Sequence, residues 1–364
     1  MRLARWIVAS DELTADEPTE PGTRVEAAAE PGIRAELTAE PGIAEGFVLA
    51  EGVVPFPDGL RVSDVLRAGL GAAADLHEQC RALVAAKQVT PTPLTEVRLL
   101  SPVVPSTVRD FVAFEEHVEG VSAGVEGKSH VADEWYEAPT FYFTNPLTVR
   151  GTGETIDVPV THRLDYELEL AAVIGGAPGE NLDVAAAEAS IFGYTVMNDW
   201  SARDLQAREM KVRLGPCKGK DFALTLGPWI VTADELDSCL DDGFLAVRAE
   251  VRVNGRLLGA DLVSNMGWTF PELVAYASRN SVVVAGDVLG SGTVGNGGCL
   301  GELWGLGRDE PPLEPGDEVR MSIEGIGEIV NLVGRRVPAP ALPRARSRSR
   351  ERNRRGRDVT KVKE

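Results

Sequence analysis

The segment RLDYELELAAVIG (163–175) alternates polar and apolar residues and then becomes continuously apolar. A period of two predicts a β-strand with Asp165, Glu167 and Glu169 on one face. Carboxylates two positions apart lie about 7 Å apart along a strand. Such a face is either an acidic surface or a place where two carboxylates bind one cation, and this segment alone does not distinguish them.

Short apolar runs separated by glycine turns continue through the region from residue 98 to 338. VRVNGRLL (251–258) carries Asn-Gly between alternating residues, which predicts a β-hairpin. Helical patterns are few and short: VAAAEAS, SARDLQARE and TFPELVAYASR. Residues 98–338 are therefore predicted to form a mixed, mainly β domain, the larger one of the chain.

Residues 1–97 are predicted to form a smaller, β-rich domain. Strand patterns occur in RLARWIVAS and GFVLAEGVVPFP, and two helical patterns follow, the first with Ser63 as a candidate cap. Three copies of Glu-Pro-Gly recur every ten residues from Glu20. These copies bury little apolar surface, so we expect a disordered insertion over about 15–44, with the start of a β-solenoid as the alternative.

Charge is distributed unevenly along the 364 residues, whose net charge is −19. Residues 344–364 hold ten Arg/Lys and three Asp/Glu, so the rest of the chain is more acidic still. Such a body is a poor general binder of nucleic acid or anionic membranes. The basic segment 339–364 is expected to be a disordered tail; an arm for RNA or an acidic partner is the alternative, although it lacks aromatic residues.

Four widely spaced cysteines, with no CxxC, argue against both a zinc site and a disulfide framework. The opening MRLARWIVAS lacks the apolar core of a signal peptide. No apolar run reaches membrane-spanning length. We therefore expect a cytoplasmic protein.

Polar residues gather around the apolar strand pattern IFGYTVM. Asp199 follows this strand, where it can cap the next helix or bind a metal. Arg203 and Gln206 share a helix face that suits an anionic substrate, or they belong to an ordinary surface helix. Lys220 stands in the glycine-flanked turn GPCKGKDF, where an ammonium can stabilise negative charge. Upstream, RDFVAFEEH carries Asp110 and His117, but sequence environment alone does not single out one of the four histidines.

Taken together, RDFVAFEEH, DYELEL, NDWSARDLQ, KGKDF and GSGTVGNG resemble the fumarylacetoacetate hydrolase family over about residues 98–338. The resemblance implies a fumarylacetoacetase-like β-roll catalytic domain, a small N-terminal β-rich domain and a homodimer. It also implies a divalent metal, Mg²⁺ first and Mn²⁺ or Ca²⁺ as alternatives, held by Glu167, Glu169 and Asp199. Asp110 takes the place of a further ligand in the fumarylacetoacetase branch. Asp165 shares the face of Glu167 and Glu169 but is expected to lie at the rim of the site or to pair with a base such as Arg163.

The same resemblance assigns catalytic roles. His117 would activate water, oriented by Glu302, with Glu115 or Glu116 as alternatives. Lys220 would stabilise the enolate that leaves. The substrate pocket would be lined by Tyr142, Arg203, Gln206 and Thr293.

The implied activity is hydrolysis of a C–C bond in a small anionic β-diketo acid, such as an acylpyruvate or a fumarylacetoacetate-like compound from aromatic breakdown. The alternative is a 2-oxo acid decarboxylase, hydratase or isomerase that uses the same metal–enolate site. A third alternative is a non-catalytic binder that uses the basic tail. Val112 stands where fumarylacetoacetase has tyrosine, and residues 118–135 lack the arginine with which that enzyme grips its substrate.

Overall fold

A computed structural model describes residues 1–8, 42–126 and 129–345, with backbone alone for 123–126. Strands dominate these ranges. In chain order the strands are β1 Arg2–Val8, β2 Ile43–Leu49, β3 Gly52–Pro55, β4 Val97–Leu99, β5 Val108–Phe111, β6 Phe141–Thr144, β7 Val149–Arg150, β8 Thr155–Pro159, β9 Leu164–Asp165, β10 Leu168–Ile174, β11 Gly179–Glu180, β12 Ile191–Asp199, β13 Ser201–Ala202, β14 Leu224–Thr232, β15 Leu240–Asp241, β16 Phe244–Leu245, β17 Arg248–Val253, β18 Arg256–Leu262, β19 Val282–Val283, β20 Val288–Gly290, β21 Glu318–Ile323 and β22 Gly327–Val337.

Helices are short and lie mostly between strands. They are α1 Val62–Ala68, α2 Leu70–Ala85, α3 Glu115–Glu126, α4 Val184–Ser190, α5 Arg203–Met210, α6 Phe270–Ser278 and α7 Leu300–Gly305.

Two sheets organise the described residues. The larger has eleven strands, in the order β3-β2-β1-β14-β12-β10-β20-β5-β6, with β4 paired to β1 and β7 to β14. The smaller has the order β18-β17-β21-β22-β8. Leu170 and Val196 of the first sheet share one buried core with Val251, Met321 and Ile323 of the second. The prediction of a mixed, mainly β fold is confirmed.

The N-terminal strands belong to the larger sheet. β1 pairs with β14 through Arg2↔Val231 and Leu3↔Ile230, and β2 and β3 extend the sheet beyond it. Phe47 of β2 and Leu66 of α1 are fully buried in the core on this side of the sheet. The division of the chain at residue 97 stays a prediction.

The structure tests two local predictions, the hairpin at Asn254-Gly255 and the helix cap at Ser63. The hairpin forms with Asn254 and Gly255 at positive φ, as a two-residue turn requires. Ser63 is not a cap: α1 begins at Val62, and Arg61 is its N-cap, with its backbone N–H donating to Asp64.

The structure describes only part of the predicted insertion and of the predicted basic tail. β2 begins at Ile43, so the last two residues of the insertion predicted over about 15–44 lie in this strand. Residues 15–41 of that insertion lie outside the described residues, so the insertion stays a prediction. The tail from 346 onward lies outside them as well.

Candidate active site

Neighbouring strands of the larger sheet bring four carboxylates together. Glu169 lies on β10, Asp199 ends the adjacent β12, and Asp110 lies on β5, separated from β10 by β20. Glu167 precedes β10 and completes the group. One oxygen from each of the four lies within 4.8 Å of the others, and all four side chains are buried. We call these four residues the carboxylate cluster.

Gly290 makes room for this cluster. It pairs with Ala171 of β10 on one side and with Asp110 of β5 on the other. A Cβ at this position would lie 2.7 Å from Glu169 Oε2 and 3.0 Å from Asp110 Oδ1. A side chain here would separate the two carboxylates, a role that sequence reasoning missed although Gly290 opens the quoted motif GSGTVGNG.

Lys220 provides positive charge to the cluster. Its Nζ donates to Glu167 Oε2 at 2.6 Å and to Asp199 Oδ2 at 2.7 Å. Burial would lower the pKa of Lys220, but the charges of Asp199 and Glu167 raise it above its usual range. Burial would likewise raise the pKa of Glu167, but Lys220 and Arg203 lower it to about 2. Glu167 and Lys220 therefore form a charged pair.

The remaining carboxylates carry more negative charge than their neighbours balance. Burial and then repulsion by nearby carboxylates raise the pKa values of Asp110 and Glu169 well above their ordinary values. Among the described residues, Asp110 Oδ1, Glu169 Oε1 and Asp199 Oδ1 are buried without a hydrogen-bond partner. Converging carboxylate oxygens that lack donors are what a hard divalent cation binds, so this residue set fits such an ion.

Asp165 does not lie at the rim or pair with Arg163, contrary to the sequence-based expectation. It is fully buried and accepts four hydrogen bonds, from the backbone N–H groups of residues 166, 300 and 301 and from Arg203 Nε at 2.7 Å. Arg163 instead stacks over the ring of Trp304. Asp165 therefore joins β9, α5 and the start of α7.

Arg203 links Asp165 to the carboxylate cluster. Its Nη2 lies 2.7 Å from Glu167 Oε1, and its Nη1 donates to Gln206 Oε1 at 3.1 Å. Arg203 and Gln206 thus share a face of α5, as predicted, and the guanidinium contacts two acids. The helix itself begins at Arg203, so Asp199 contributes to the cluster and not to a helix cap.

Asp165→Asn should destabilise the protein by about 3–5 kcal/mol, the usual cost of removing one partner of a buried ion pair. All four contacts of Asp165 are donors, so the amide nitrogen of asparagine must face at least one of them. Asp157→Asn is the matched control, because it breaks an exposed pair with Arg335 and should cost at most about 1 kcal/mol. Urea unfolding measures the free energy of unfolding of both variants. Equal losses of stability would contradict the conclusion that Asp165 is part of a buried ion pair.

His117 lies on α3, and its Nδ1 is 3.7 Å from Cys299 Sγ. Burial, with the charges of Arg203 and Lys220, lowers the pKa of His117 to about 4, although Glu167 opposes the shift. The imidazole is therefore neutral at pH 7. Within the described residues, His117 has no hydrogen bond to a carboxylate.

The predicted partner of His117, Glu302, lies on α7 and accepts from the backbone N–H of Gly297 at 3.0 Å. Glu115, one of the alternatives, instead accepts from Tyr136 Oη. Burial, reinforced by Asp261 and Glu116, raises the pKa of Glu302 to about 7. The choice of the carboxylate that orients His117 stays a prediction.

Glu302 should make folding less favourable as pH rises from about 4.5 to about 7. Because its folded-state pKa of about 7 exceeds the ordinary 4.5, the stability it contributes is complete below pH 4.5 and is lost as pH passes 7. Glu302→Gln removes this loss and should be more stable than the native chain by up to about 3 kcal/mol at pH 8, with a smaller difference near pH 4. Urea unfolding at both pH values tests this; a pH-independent difference would contradict it.

The remaining predicted pocket residues lie close by. Tyr142 on β6 donates its hydroxyl to Asp199 Oδ2, and Thr293 is buried in the loop after β20. Tyr142 and Lys220 both line a cavity of about 210 Å³, together with Phe143, Pro216 and Cys217. Two residues that line this cavity, Tyr142 and Lys220, both donate to Asp199 of the carboxylate cluster.

In the part of the chain that the structure describes, none of the helices combines the length and apolar composition that a membrane crossing needs.

Comparisons with known proteins agree with this geometry. The family described as fumarylacetoacetate (FAA) hydrolase, C-terminal, matches residues 106–334. An oxaloacetate tautomerase of Bacillus subtilis is 30% identical over 246 residues, covering 66% of this chain and 74% of that protein. A fumarylacetoacetase of Arabidopsis thaliana is 29% identical over 307 residues, covering 68% and 73%.

A solved structure extends the likeness to nearly the whole chain. The 5-carboxymethyl-2-hydroxymuconate delta-isomerase of Mycobacterium smegmatis matches with a TM-score of 0.59 and 26% identity, covering 93% of this chain and all of that one. Hydrolase, tautomerase and isomerase names thus occur among the relatives. The match over residues 106–334, which contain the carboxylate cluster, shows that this chain belongs to the fumarylacetoacetate hydrolase family.

Proposed function

We propose that this chain is a metal-dependent enzyme that acts on a small 2-oxo or β-diketo acid through an enolate. The observation that carries the proposal is the carboxylate cluster, in which three oxygens lack donors from the described part of the chain although all four side chains are buried. Asp110, Glu167, Glu169 and Asp199 would hold the cation, with Mg²⁺ preferred for an all-oxygen set and Mn²⁺ or Ca²⁺ as alternatives. When bound, such a cation polarises substrate oxygens as a Lewis acid.

Cationic and polar side chains beside the cluster support an anionic substrate. Lys220 is a buried cation and Arg203 a partly buried one, and both contact the cluster, so they can attract a carboxylate and stabilise an enolate. The Tyr142 hydroxyl, which donates to Asp199 and lines the cavity, would hydrogen-bond a substrate oxygen. Gln206 and Thr293 would complete the pocket.

Hydrolysis of a C–C bond is the first candidate reaction. His117, neutral at pH 7, takes a proton from water while the hydroxide oxygen bonds to the substrate carbonyl carbon. The C–C bond then breaks and its electron pair passes into an enolate. Lys220 stabilises the negative charge of that enolate until a proton returns to carbon. The products are a carboxylic acid and a ketone or 2-oxo acid.

Tautomerisation or isomerisation is the second candidate, and the surroundings of His117 favour it. Moving a proton between carbon and oxygen needs one neutral base and a stabilised enolate, and no attack by water. In the described residues His117 faces a thiol, and no carboxylate hydrogen-bonds to it to strengthen it as a base for water. Val112 and the lack of arginine in 118–135 also separate this chain from fumarylacetoacetase.

A substrate screen with metal control tests the proposal. The purified protein is assayed with Mg²⁺ or Mn²⁺ against acylpyruvates for cleavage and against oxaloacetate for keto–enol exchange and decarboxylation. Cleavage supports the first candidate, and exchange without cleavage supports the second. Activity that survives both EDTA and Glu167→Ala would refute the metal-dependent proposal altogether.

The proposal includes a cytoplasmic homodimer. Light scattering of the purified protein measures its mass in solution, and twice the chain mass of 38.9 kDa is expected.

A further inference from the structure

A second group of potential metal ligands adjoins the carboxylate cluster. His117, Glu167 and Cys299 each offer a ligand atom, and the three atoms lie within 4.8 Å of one another. All three side chains are buried. Glu167 belongs to both groups, so two cations bound side by side would share its carboxylate. We call His117, Glu167 and Cys299 the thiol cluster.

The spacing in the thiol cluster matches zinc coordination. Zinc bonds of about 2.3 Å to sulfur and about 2.0–2.1 Å to nitrogen, at a tetrahedral angle, place the two ligand atoms about 3.5 Å apart. His117 Nδ1 and Cys299 Sγ are 3.7 Å apart. One cation can therefore bond to both after shifts of a few tenths of an ångström.

Ligand chemistry separates the two groups. The carboxylate cluster offers only oxygen and suits a hard ion, whereas sulfur, imidazole nitrogen and one carboxylate suit Zn²⁺ or Cd²⁺. We propose that the thiol cluster is an inhibitory site for a thiophilic divalent cation. Binding replaces the thiol proton, which passes to solvent, with a metal–sulfur bond, and no electron is transferred.

Inhibition follows from the identity of the nitrogen ligand. A cation bonded to His117 removes the imidazole from proton transfer, and this consequence rests on the proposed function. Binding of the cation to the thiol cluster does not depend on the proposed function. The wide spacing of the cysteines and the lack of a CxxC motif predicted no zinc site. His117 and Cys299 are far apart along the chain, and folding brings them together.

Cadmium provides a readout that does not depend on activity, because bonding to a thiolate produces an ultraviolet charge-transfer band. Titrating the Mg²⁺-loaded protein with Cd²⁺ should produce this band, and Cys299→Ser should lose it. Serine retains an oxygen that can accept from the backbone N–H of Glu302, as Cys299 Sγ does at 3.3 Å, so the variant should fold. Cys80→Ser is the matched control, since Cys80 is equally buried but lies in α2.

Glu169→Gln distinguishes this proposal from the proposed function. It impairs the carboxylate cluster but leaves the thiol cluster complete, so the Cd²⁺ band should persist. Zn²⁺ should inhibit turnover, and Cys299→Ser should raise the inhibitory concentration by about tenfold or more. If the Cd²⁺–thiolate band is absent from the native protein, or unchanged in Cys299→Ser, the thiol cluster is not a metal site. Equal Zn²⁺ inhibition of native and Cys299→Ser protein would overturn its inhibitory role.

Discussion

Glu169→Gln should stabilise the metal-free protein and at the same time abolish its stabilisation by Mg²⁺. Burial and the neighbouring carboxylates raise the pKa of Glu169 well above its ordinary value, so its negative charge is unfavourable in the folded chain. The neutral amide removes that repulsion. It also removes a ligand, and even residues that only support metal ligands typically contribute about 10–100-fold to affinity.

Thermal unfolding with EDTA and with saturating Mg²⁺ measures both effects, and calorimetric titration gives the affinity. We expect a higher midpoint for the variant in EDTA and an affinity for Mg²⁺ at least about 100-fold weaker than native. Glu180→Gln, at an exposed glutamate of β11, is the control. It should change neither the unfolding midpoint in EDTA nor the affinity for Mg²⁺. A variant that binds Mg²⁺ as tightly as the native protein would remove Glu169 from the ligand set.

Lys220→Met should strongly destabilise the metal-free protein. It removes the ammonium that Glu167 and Asp199 share at 2.6 and 2.7 Å and leaves two buried carboxylates without it. Breaking a buried ion pair from one side costs about 3–5 kcal/mol. A divalent cation in the carboxylate cluster would replace the missing charge, so Mg²⁺ should recover much of the loss, while turnover should remain low because the enolate lacks its cationic partner.

Lys218→Met makes the comparison specific. Lys218 lies two residues away and pairs with Asp221 at 2.7 Å, but its side chain is 69% exposed. An exposed ion pair contributes at most about 1 kcal/mol to the free energy of unfolding. The stability lost in Lys218→Met should therefore be small and should not depend on Mg²⁺. Urea unfolding with and without Mg²⁺ is the measurement. If Lys220→Met and Lys218→Met lose similar stability, burial of Lys220 is not the cause of the destabilisation.

Sequence reasoning reached the carboxylate cluster through two independent signals. The two-residue period around Glu167 and Glu169 predicted a shared face, and Asp199 was a candidate ligand from its place after the next strand pattern. Family resemblance supported Asp199 and added Asp110. The structure brings all four together, although the predicted strand is interrupted between Asp165 and Leu168. Their roles as ligands remain a proposal that the two variants above test.

Asp165 shows where the periodic argument fails. It has the same strand parity as Glu167, yet it turns toward Arg203 and the start of α7. Parity predicts a face of an ideal strand, whereas the break after Asp165 changes the direction in which its side chain points. Three of the four donors that converge on this carboxylate, Arg203 Nε and the backbone N–H groups of residues 300 and 301, come from distant parts of the chain, and a sequence pattern does not reveal them.

The sequence by itself determined the mainly β fold, the hairpin at Asn254-Gly255 and the acidic character of the site, because periodicity and turn chemistry are local properties of the chain. Only the tertiary structure decided the contacts that depend on distant segments: the space that Gly290 leaves between two carboxylates, Lys220 between Glu167 and Asp199, and His117 beside Cys299. These contacts arise from the order of strands in the larger sheet and the packing of α3 against α7. Strand order and helix packing are set by burial of the whole core, so no local pattern encodes them.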